Sequence, residues 1–328
     1  MISELARQLI NIPSVTGGEK DVGLFLAEQL SSRGYQVDKQ FLIPNRFNVL
    51  AFDGKPRVIL CTHLDTVPPV LPVSEDDDFL YGRGACDTKG IIAAMLVAGD
   101  RLREQGIADF GYLFVVGEEQ KGDGAKKANT LKWESEYVVV GEPTGNKMAV
   151  AQKGMLVVDF TVTGRAAHSG YPHEGVSAIE NLWKVLQDCA AADWGNTPTL
   201  GEGSFNIGVF NGGAACNVVP ATASASVMIR LVEPKVAAEE RIHEIVAGRA
   251  QINILSGSDP FPMQVVEGFD TMVASFGSDA PYLTNLGKPM MIGPGSILDA
   301  HTANEKVSKQ ELIEGAAIYE RLLKKLLS

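Results

Sequence analysis

The most constraining feature of this sequence is a series of short, continuously apolar stretches that alternate with helical patterns. Strands that are apolar throughout are typical of a sheet buried on both faces, and alternation with helices indicates parallel pairing. The alternating elements are expected at strand Arg57–Cys61, helix Thr88–Arg103, strand Gly111–Val116, helix Asp123–Leu131 and strand Glu136–Val140. The sequence therefore predicts an α/β fold with a mostly parallel sheet sandwiched by helices.

Acidic or imidazole side chains follow all three strands at the point where each strand ends. His63 and Asp65 follow the first strand, Glu118 and Glu119 follow the second, and Glu142 follows the third. In open α/β sheets, functional groups collect beyond the carboxyl ends of the strands. A carboxylate placed directly after a buried strand needs a partner or a cation. The pattern therefore predicts a metal site at this edge of the sheet.

The spacing of His63 and Asp65 predicts how the imidazole is oriented. Residues two apart on an extended chain point to the same side. Asp65 is therefore expected to accept the second ring proton of His63 and to fix the tautomer that offers the other nitrogen to a metal.

Two further ligand candidates lie outside the strands. Asp87 stands in the glycine-framed segment GRGACDTKG before a helix, where a carboxylate suits an N-cap as well as a ligand. His301 lies far along the chain in the loop LDAHTANE and supplies a second imidazole. Two histidines and three carboxylates exceed what one zinc ion needs and suit two metals ~3.5–4 Å apart that share a carboxylate and a hydroxide.

The ligand types indicate the metal and the reaction. Nitrogen and oxygen ligands without thiolate favour zinc, with cobalt or manganese as alternatives. Two such ions lower the pKa of a bridging water toward ~7, and a glutamate that is not a ligand can then pass its proton to a leaving amine. The expected chemistry is hydrolysis.

The middle of the chain has a different texture and predicts an inserted domain. Alternating strand patterns and two helical stretches follow one another in β-α-β-β-α order, which is typical of an α+β unit with an antiparallel sheet. Residues 153–260 are therefore expected to form an inserted α+β lid or dimerisation domain. Residues 1–152 and 261–328 together are expected to form the catalytic domain.

Composition excludes several classes of partner. The net charge of −11 argues against binding to nucleic acid or to an anionic membrane surface. No apolar run approaches the ~20 residues of a membrane span, and the amphipathic N-terminus does not have the pattern of a signal peptide. The four cysteines lack C-x-x-C spacing. A cytoplasmic location is expected.

The motifs as a set resemble a known family over nearly the whole chain. They are HLDTVPP, GRGACDTKG, GEEQKGDGA, GEPT, GRAAHSGYPHEG, CNVVPATASASVMIR, GSDAPYL and GPGSILDAHTANE. This series is similar to that of the acetylornithine deacetylase, succinyl-diaminopimelate desuccinylase and aminoacylase family of dinuclear zinc hydrolases, which includes glutamate carboxypeptidases. The chain is short for that family, and it most resembles the acetylornithine deacetylase-like members.

The resemblance implies a division of roles among the candidate residues. It implies that two zinc ions are bound, one by His63 and Glu142 and the other by Glu119 and His301, with Asp87 bridging them. It makes Glu118 the general base and Asp65 the partner of His63.

The resemblance also implies roles for three residues of the inserted domain. His168 in AHSG resembles a histidine that reaches the active site of the other subunit in a homodimer and polarises the substrate carbonyl. Asn217 and Arg230 match positions that contact the substrate, and a guanidinium can grip an α-carboxylate in bidentate fashion.

The expected reaction is removal of an acyl group, first of all acetyl, from an N-acyl amino acid such as N-acetylornithine, N-acetylcitrulline or N-acetyl-lysine. That substrate would place the protein in arginine- or lysine-type biosynthesis. A desuccinylase and a dipeptidase or carboxypeptidase are alternatives within the family. A non-catalytic metal-binding protein is an alternative from another class. Loss of a ligand or of the base Glu118 would favour it, but the sequence contains all of these residues. An iron or manganese redox enzyme would use the same ligand types.

Overall fold

The computed structural model describes residues 2–328, which divide by their internal contacts into two compact units. The first unit contains the chain up to residue 150 together with 263–272 and 278–328, and the second contains 151–262 and 273–277. The sequence-based division placed residues 153–260 in the inserted domain, whereas the second unit begins at 151, ends at 262 and also includes 273–277. The functions expected of the units, catalysis in one and lid or dimerisation in the other, remain predictions.

The helices and strands are numbered along the chain. The helices are α1 (Ile2–Ile10), α2 (Lys20–Ser32), α3 (Gly90–Glu104), α4 (Asp123–Ala128), α5 (Ala178–Ala191), α6 (Lys235–Val246) and α7 (Lys309–Leu327). The strands before residue 150 are β1 (Gln36–Ile43), β2 (Arg46–Phe52), β3 (Val58–His63), β4 (Ser74–Glu75), β5 (Phe79–Tyr81), β6 (Phe110–Val115), β7 (Tyr137–Val140) and β8 (Met148–Gln152). The later strands are β9 (Gly154–Thr163), β10 (Asn196–Thr197), β11 (Gly201–Glu202), β12 (Ser204–Gly212), β13 (Thr222–Leu231), β14 (Gln251–Ser258), β15 (Phe261–Pro262), β16 (Thr271–Ala274), β17 (Lys288–Met291) and β18 (Lys306–Ser308).

The first unit is built on a six-stranded sheet in the order β1-β2-β6-β3-β7-β17. Strands β6, β3, β7 and β17 run parallel to one another, whereas β1 and β2 pair antiparallel at one edge. Every residue of β3 and β6 is buried. This burial explains why both strands are apolar along their length instead of at alternate positions.

Helix α3 is the central helix of the first unit. Eleven of its residues are buried, from Gly90 to Leu102. It packs against β3, α1 and α7. A helix buried on nearly all sides needs small and apolar residues all round, and the segment GIIAAMLVAG supplies them. The helix fixes the turn that precedes it, and that turn carries Asp87.

The second unit is an antiparallel sheet in the order β12-β13-β9-β14, with α5 and α6 packed on it. Alternate residues of β13 are buried, and they join residues of both helices in a separate apolar cluster. Period-two burial is expected for a sheet with one face on a core.

The fold class predicted from the sequence is confirmed, as a mixed α/β fold with a mostly parallel main sheet. The amphipathic pattern of residues 309–327 predicts a C-terminal helix, and α7 spans Lys309–Leu327. Strands β8, β14 and β17 are among those that were not predicted, together with the short strands β4, β5, β10, β11, β15, β16 and β18. Among residues 2–328, none of the helices combines the length and the apolar content needed to cross a membrane.

Candidate metal centre

The candidate ligands of the first unit lie beyond the carboxyl ends of its parallel strands. His63 is the last residue of β3, Glu119 follows β6, and Glu142 follows β7, which are neighbouring strands. His301 lies in the loop that follows β17, the next strand in the sheet. Parallel pairing therefore brings together side chains that are far apart in sequence.

Asp87 lies between the two imidazoles and contacts each with a different oxygen. Its Oδ1 is 3.1 Å from Nε2 of His63, and its Oδ2 is 3.2 Å from Nε2 of His301. The same His301 nitrogen is 3.1 Å from Oε1 of Glu119. One ligand atom from each of His63, Asp87 and Glu119 lies within 4.8 Å of the others. A carboxylate placed in this way can be shared by two cations.

The turn before α3 directs Asp87 toward the histidines. Asp87 and Thr88 depart from helical backbone angles within the turn Ala85–Lys89, and the peptide bond between them is cis. The hydroxyl of Thr88 donates to the main-chain oxygen of His63 at 2.9 Å. Helix α3 has Lys89 at its N-cap, without a side-chain capping bond. Asp87 therefore does not serve as the N-cap, which was the alternative interpretation of its position.

Asp65 lies behind His63, but the group that contacts the ring differs from the one predicted. Nδ1 of His63 is 2.9 Å from the main-chain oxygen of Asp65 and 3.7 Å from its carboxylate Oδ1. The main-chain carbonyl is therefore the acceptor that orients the imidazole. The carboxylate of Asp65 instead accepts hydrogen bonds from the main-chain N–H groups of Gly117, Glu118 and Glu119.

Several acidic groups lie close together here in a poorly solvated environment. Burial raises the pKa of both Glu118 and Glu142, and the negative charge of Glu118 raises the pKa of Glu142 further. Burial also raises the pKa of Asp279 to about 7. A buried carboxyl group is costly to ionise in the protein alone, and a bound cation stabilises its ionised form.

The two histidines respond to the same negative potential. Burial is the largest single influence and works against the protonated ring of His63, but the hydrogen bond and charge of Asp87, together with the charges of Glu118 and Glu142, outweigh it and raise the pKa of His63. Hydrogen bonds to Asp87 and Glu119 raise the pKa of His301. His301 also has φ of 61°, a left-handed conformation that is costly for a residue with a Cβ and that often marks a functional position.

The donor set fits metal ions. It combines the imidazoles of His63 and His301 with the carboxylates of Asp87 and Glu119, contains no thiolate within residues 2–328, and lies beside the buried carboxylates of Glu118 and Glu142. His63, Asp87 and Glu142 on one side, and Asp87, Glu119 and His301 on the other, would hold the cations. Nitrogen and oxygen donors of this kind suit zinc, cobalt or manganese.

The predicted substrate-binding residues lie in the second unit. His168 pairs with Val218 in an isolated bridge, and the main-chain oxygen of Asn217 accepts from the N–H of Ser169 at 3.0 Å, so His168 and Asn217 are neighbours. Nδ1 of His168 accepts from the N–H of Gly170. Arg230 lies on β13 and is partly buried.

Three residues around the centre were not identified from the sequence. Oε1 of Glu305 accepts from the N–H of Asp87 at 3.3 Å, and its other oxygen is 2.6 Å from Nη1 of Arg83. Asp279 is buried, and its Oδ2 has no hydrogen-bond partner within residues 2–328. All three lie in the quoted motifs GRGACD, HTANE and GSDAPYL, but only the fold shows what they contact.

With this geometry established, comparison with known proteins identifies the class. Residues 59–325 match the peptidase family M20/M25/M40, so the chain belongs to this family. It is therefore an M20 family metallopeptidase, a hydrolase that acts on amide bonds.

Related proteins align over almost the whole chain. A peptidase M20 domain-containing protein of Schizosaccharomyces pombe is 38% identical, and the match covers 97% of this chain and 83% of that protein. A probable carboxypeptidase of Aspergillus flavus is 36% identical, with 97% of this chain and 88% of that protein covered. These names favour the peptidase alternative over the acetylornithine deacetylase that the sequence motifs led us to expect.

Solved structures share the fold. A tripeptidase from Staphylococcus aureus superposes with a TM-score of 0.82 at 21% identity, covering 98% of each chain. A dinuclear metal-binding M20 peptidase of Bacillus subtilis superposes with a TM-score of 0.69 at 15% identity, covering 99% of this chain and 97% of that one.

Proposed function

We propose that this protein is a dinuclear zinc carboxypeptidase or dipeptidase that releases the C-terminal residue of a short peptide. The observation that carries the proposal is the placement of Asp87 between two imidazoles, beside buried carboxylates, at the carboxyl edge of the parallel sheet. The match to a probable carboxypeptidase at 36% identity supports a peptide substrate.

The residues of the first unit divide the chemical work. When bound, two zinc ions would supply a water of lowered pKa and polarise the scissile carbonyl. Glu118 accepts a proton from the attacking water and delivers it to the nitrogen of the leaving amine, so that the C–N bond breaks and the acyl carbon gains a hydroxyl. The raised pKa of Glu118 suits a group that must both take and give a proton.

Arg230 is the proposed contact for the free carboxylate of the substrate. Within residues 2–328 its guanidinium has no ion pair, and burial lowers its pKa without a carboxylate to offset the effect. A partly desolvated, unpaired guanidinium favours a bidentate carboxylate ligand. We propose that Asn217 and His168 contact the same substrate, and that the imidazole of His168 contacts the substrate carbonyl.

We also propose that the protein is a homodimer formed through the second unit. That unit exposes large apolar side chains on its surface, including Trp183 on α5 and Val209 on β12, with 50% and 48% of their surfaces accessible. Sedimentation velocity should show a dimer. A monomer with full activity would contradict both the dimer and the proposed role of His168 across it.

The proposed reaction is tested by amine release from matched substrates in the presence of zinc. The panel contains dipeptides, the same dipeptides with a C-terminal amide, and N-acetyl and N-succinyl amino acids. We expect turnover of the dipeptides and little turnover of their amides, because the amide removes the group that Arg230 would bind. Turnover confined to N-acetyl basic amino acids would instead establish the deacetylase alternative. No release from any substrate by protein with two bound metals would contradict the proposal.

A variant series links the carboxylate preference to Arg230. Arg230→Lys keeps the charge but loses the fork of donors, and Arg230→Ala loses both. We expect the preference for the free acid over the amide to fall in the order wild type, lysine variant, alanine variant. An unchanged preference in the alanine variant would place the carboxylate site elsewhere.

A further inference from the structure

The carboxylate of Asp65 is a buried hub that accepts four hydrogen bonds. Its Oδ1 accepts from the N–H of Gly117 at 2.8 Å and of Glu118 at 3.1 Å. Its Oδ2 accepts from the N–H of Glu119 at 3.2 Å and from the hydroxyl of Thr16 at 2.8 Å. None of the surface of Asp65 is accessible to solvent. The three amides belong to the segment that carries Glu118, so the orientation of this one carboxylate fixes the course of that segment.

Thr16 belongs to a segment that is tied to the end of β3 by its main chain. The N–H of Thr16 donates to the oxygen of Thr66, and the N–H of Thr66 donates to the oxygen of Ser14. The hydroxyl of Ser14 donates to the oxygen of Leu64. These bonds hold Thr16 in place without the help of its own side chain. Its hydroxyl is therefore free to act as a fixed donor to Asp65.

We propose that Thr16 is a positioning residue for the hydrolytic reaction. Its hydroxyl fixes the rotation of the Asp65 carboxylate, which in turn holds the amides of residues 117–119 and places Glu118 for proton transfer. The shorter of the two bonds to Oδ2 comes from Thr16, and without it that oxygen keeps only the longer bond from Glu119. The catalytic consequence rests on the proposed role of Glu118, whereas the structural consequence does not.

The choice of substitution follows from a cavity next to Thr16. Thr16, Gly117 and Lys121 are among the residues that line an open cavity of about 210 Å³. An alanine at position 16 would let a water molecule from this cavity take over the donor role. Thr16→Val removes the hydroxyl but keeps the volume, so no water can replace it. Thr16→Ser keeps the hydroxyl and serves as the matched rescue variant.

Amide hydrogen exchange on the metal-free, full-length protein tests the structural step without any dependence on catalysis. In Thr16→Val we expect the amides of residues 117–119 to exchange about three- to tenfold faster. This is the effect expected when one of several connected hydrogen bonds to the Asp65 carboxylate is lost. Peptides over β3 should be unchanged, and Thr16→Ser should match the wild type. Ser135→Ala is the control, since it removes another buried hydroxyl donor of the first unit, to the oxygen of Pro56.

Two results would overturn the proposal. One is unchanged exchange of residues 117–119 in Thr16→Val. The other is a general loosening of the unit. It would appear as equally faster exchange of the β3 amides in Thr16→Val, or as equally faster exchange of residues 117–119 in Ser135→Ala.

Kinetics on the zinc-loaded protein test the catalytic step. Thr16→Val should lower kcat about three- to tenfold with KM unchanged, and Thr16→Ser should restore it. A rise in KM with kcat preserved would overturn the positioning role. If the protein proved to act on other substrates, the exchange result would still stand or fall independently.

Discussion

At the scale of single residues, the adjacent acids Glu118 and Glu119 occupy different environments. Oε1 of Glu119 is 3.1 Å from Nε2 of His301, and Glu119 belongs to the group of close ligand atoms with His63 and Asp87. Glu118 is outside that group, and burial raises its pKa. The N–H groups of both residues are held by the same carboxylate, that of Asp65. One short segment can therefore supply a ligand and a base in fixed relation to each other.

Glu118→Gln is expected to separate catalysis from metal binding. The amide has nearly the same shape but cannot accept a proton from water, so kcat should fall by a factor of about 10² to 10⁴. The metal content after dialysis against zinc should equal that of the wild type. Turnover on the best substrate and elemental analysis of the same preparation provide the two measurements. Retention of activity would remove Glu118 from the role of general base.

Glu119→Gln is the matched substitution one position along. An amide oxygen is a weaker ligand than a carboxylate and does not offset the charge of a divalent cation, so the protein should lose metal affinity. We expect at least one metal equivalent to be lost on dialysis, with activity recovering at raised zinc concentration. If Glu118→Gln lost metal and Glu119→Gln kept it, the two assignments would have to be exchanged.

At the scale of elements, α3 depends on glycine where it crosses the sheet. A Cβ on Gly99 would overlap the hydroxyl of Tyr112 on β6. That hydroxyl donates to the main-chain oxygen of Met95, one turn earlier in the helix, at 3.3 Å. Glycine usually weakens a helix interior by about 1 kcal/mol relative to alanine. At this position close contact between helix and strand outweighs that cost.

Gly99→Ala is therefore expected to destabilise the protein despite its better helix propensity. Overpacking of a filled core costs about 1–3 kcal/mol, measurable as a lower denaturation midpoint in urea. The control is the same change in a Tyr112→Phe background, where the overlapping hydroxyl is absent. The cost should then shrink by about 1 kcal/mol, a coupling energy typical of residues in contact. Additive effects of the two substitutions would contradict steric overlap as the cause.

Whether the sequence predicted a strand depended on how clearly its burial is reflected in its local residue pattern. Strands β3, β6 and β7 were predictable because burial on both faces leaves an apolar signature. Strand β17, with the sequence KPMM, is short, carries a proline and lies in a glycine-rich region, so no local pattern marked it.

The contacts at the site were harder to predict than the residues. The candidate side chains after the strands were identified because a charged group directly after a buried strand needs a partner or a bound cation. Which atom of Asp65 faces His63 depends on the course of the main chain beyond β3. The hydrogen bond between Thr16 and Asp65 joins residues 49 positions apart in sequence, so the local sequence pattern of neither residue predicts it.

At the scale of the whole molecule, the candidate ligands come from distant parts of the chain but from one unit. His63, Asp87, Glu119 and Glu142 precede the second unit in sequence, and His301 follows it. All five belong to the first unit. In the unfolded chain these groups are separated by up to 238 positions (301 minus 63) and form no site. Metal binding should therefore favour the folded state strongly.

Zinc is expected to raise the thermal unfolding midpoint, and a chelator should lower it. A ligand at 100 times its Kd stabilises the folded state by about 2.7 kcal/mol, which corresponds to about 5 to 10 °C for a unit of this size. Differential scanning calorimetry with zinc and with EDTA measures the difference. His301→Ala should reduce the zinc-dependent shift, because it removes a ligand. His173→Ala changes an exposed histidine of the second unit and should leave the shift intact. Equal midpoints with zinc and EDTA in the wild type would show that these residues do not form a metal centre.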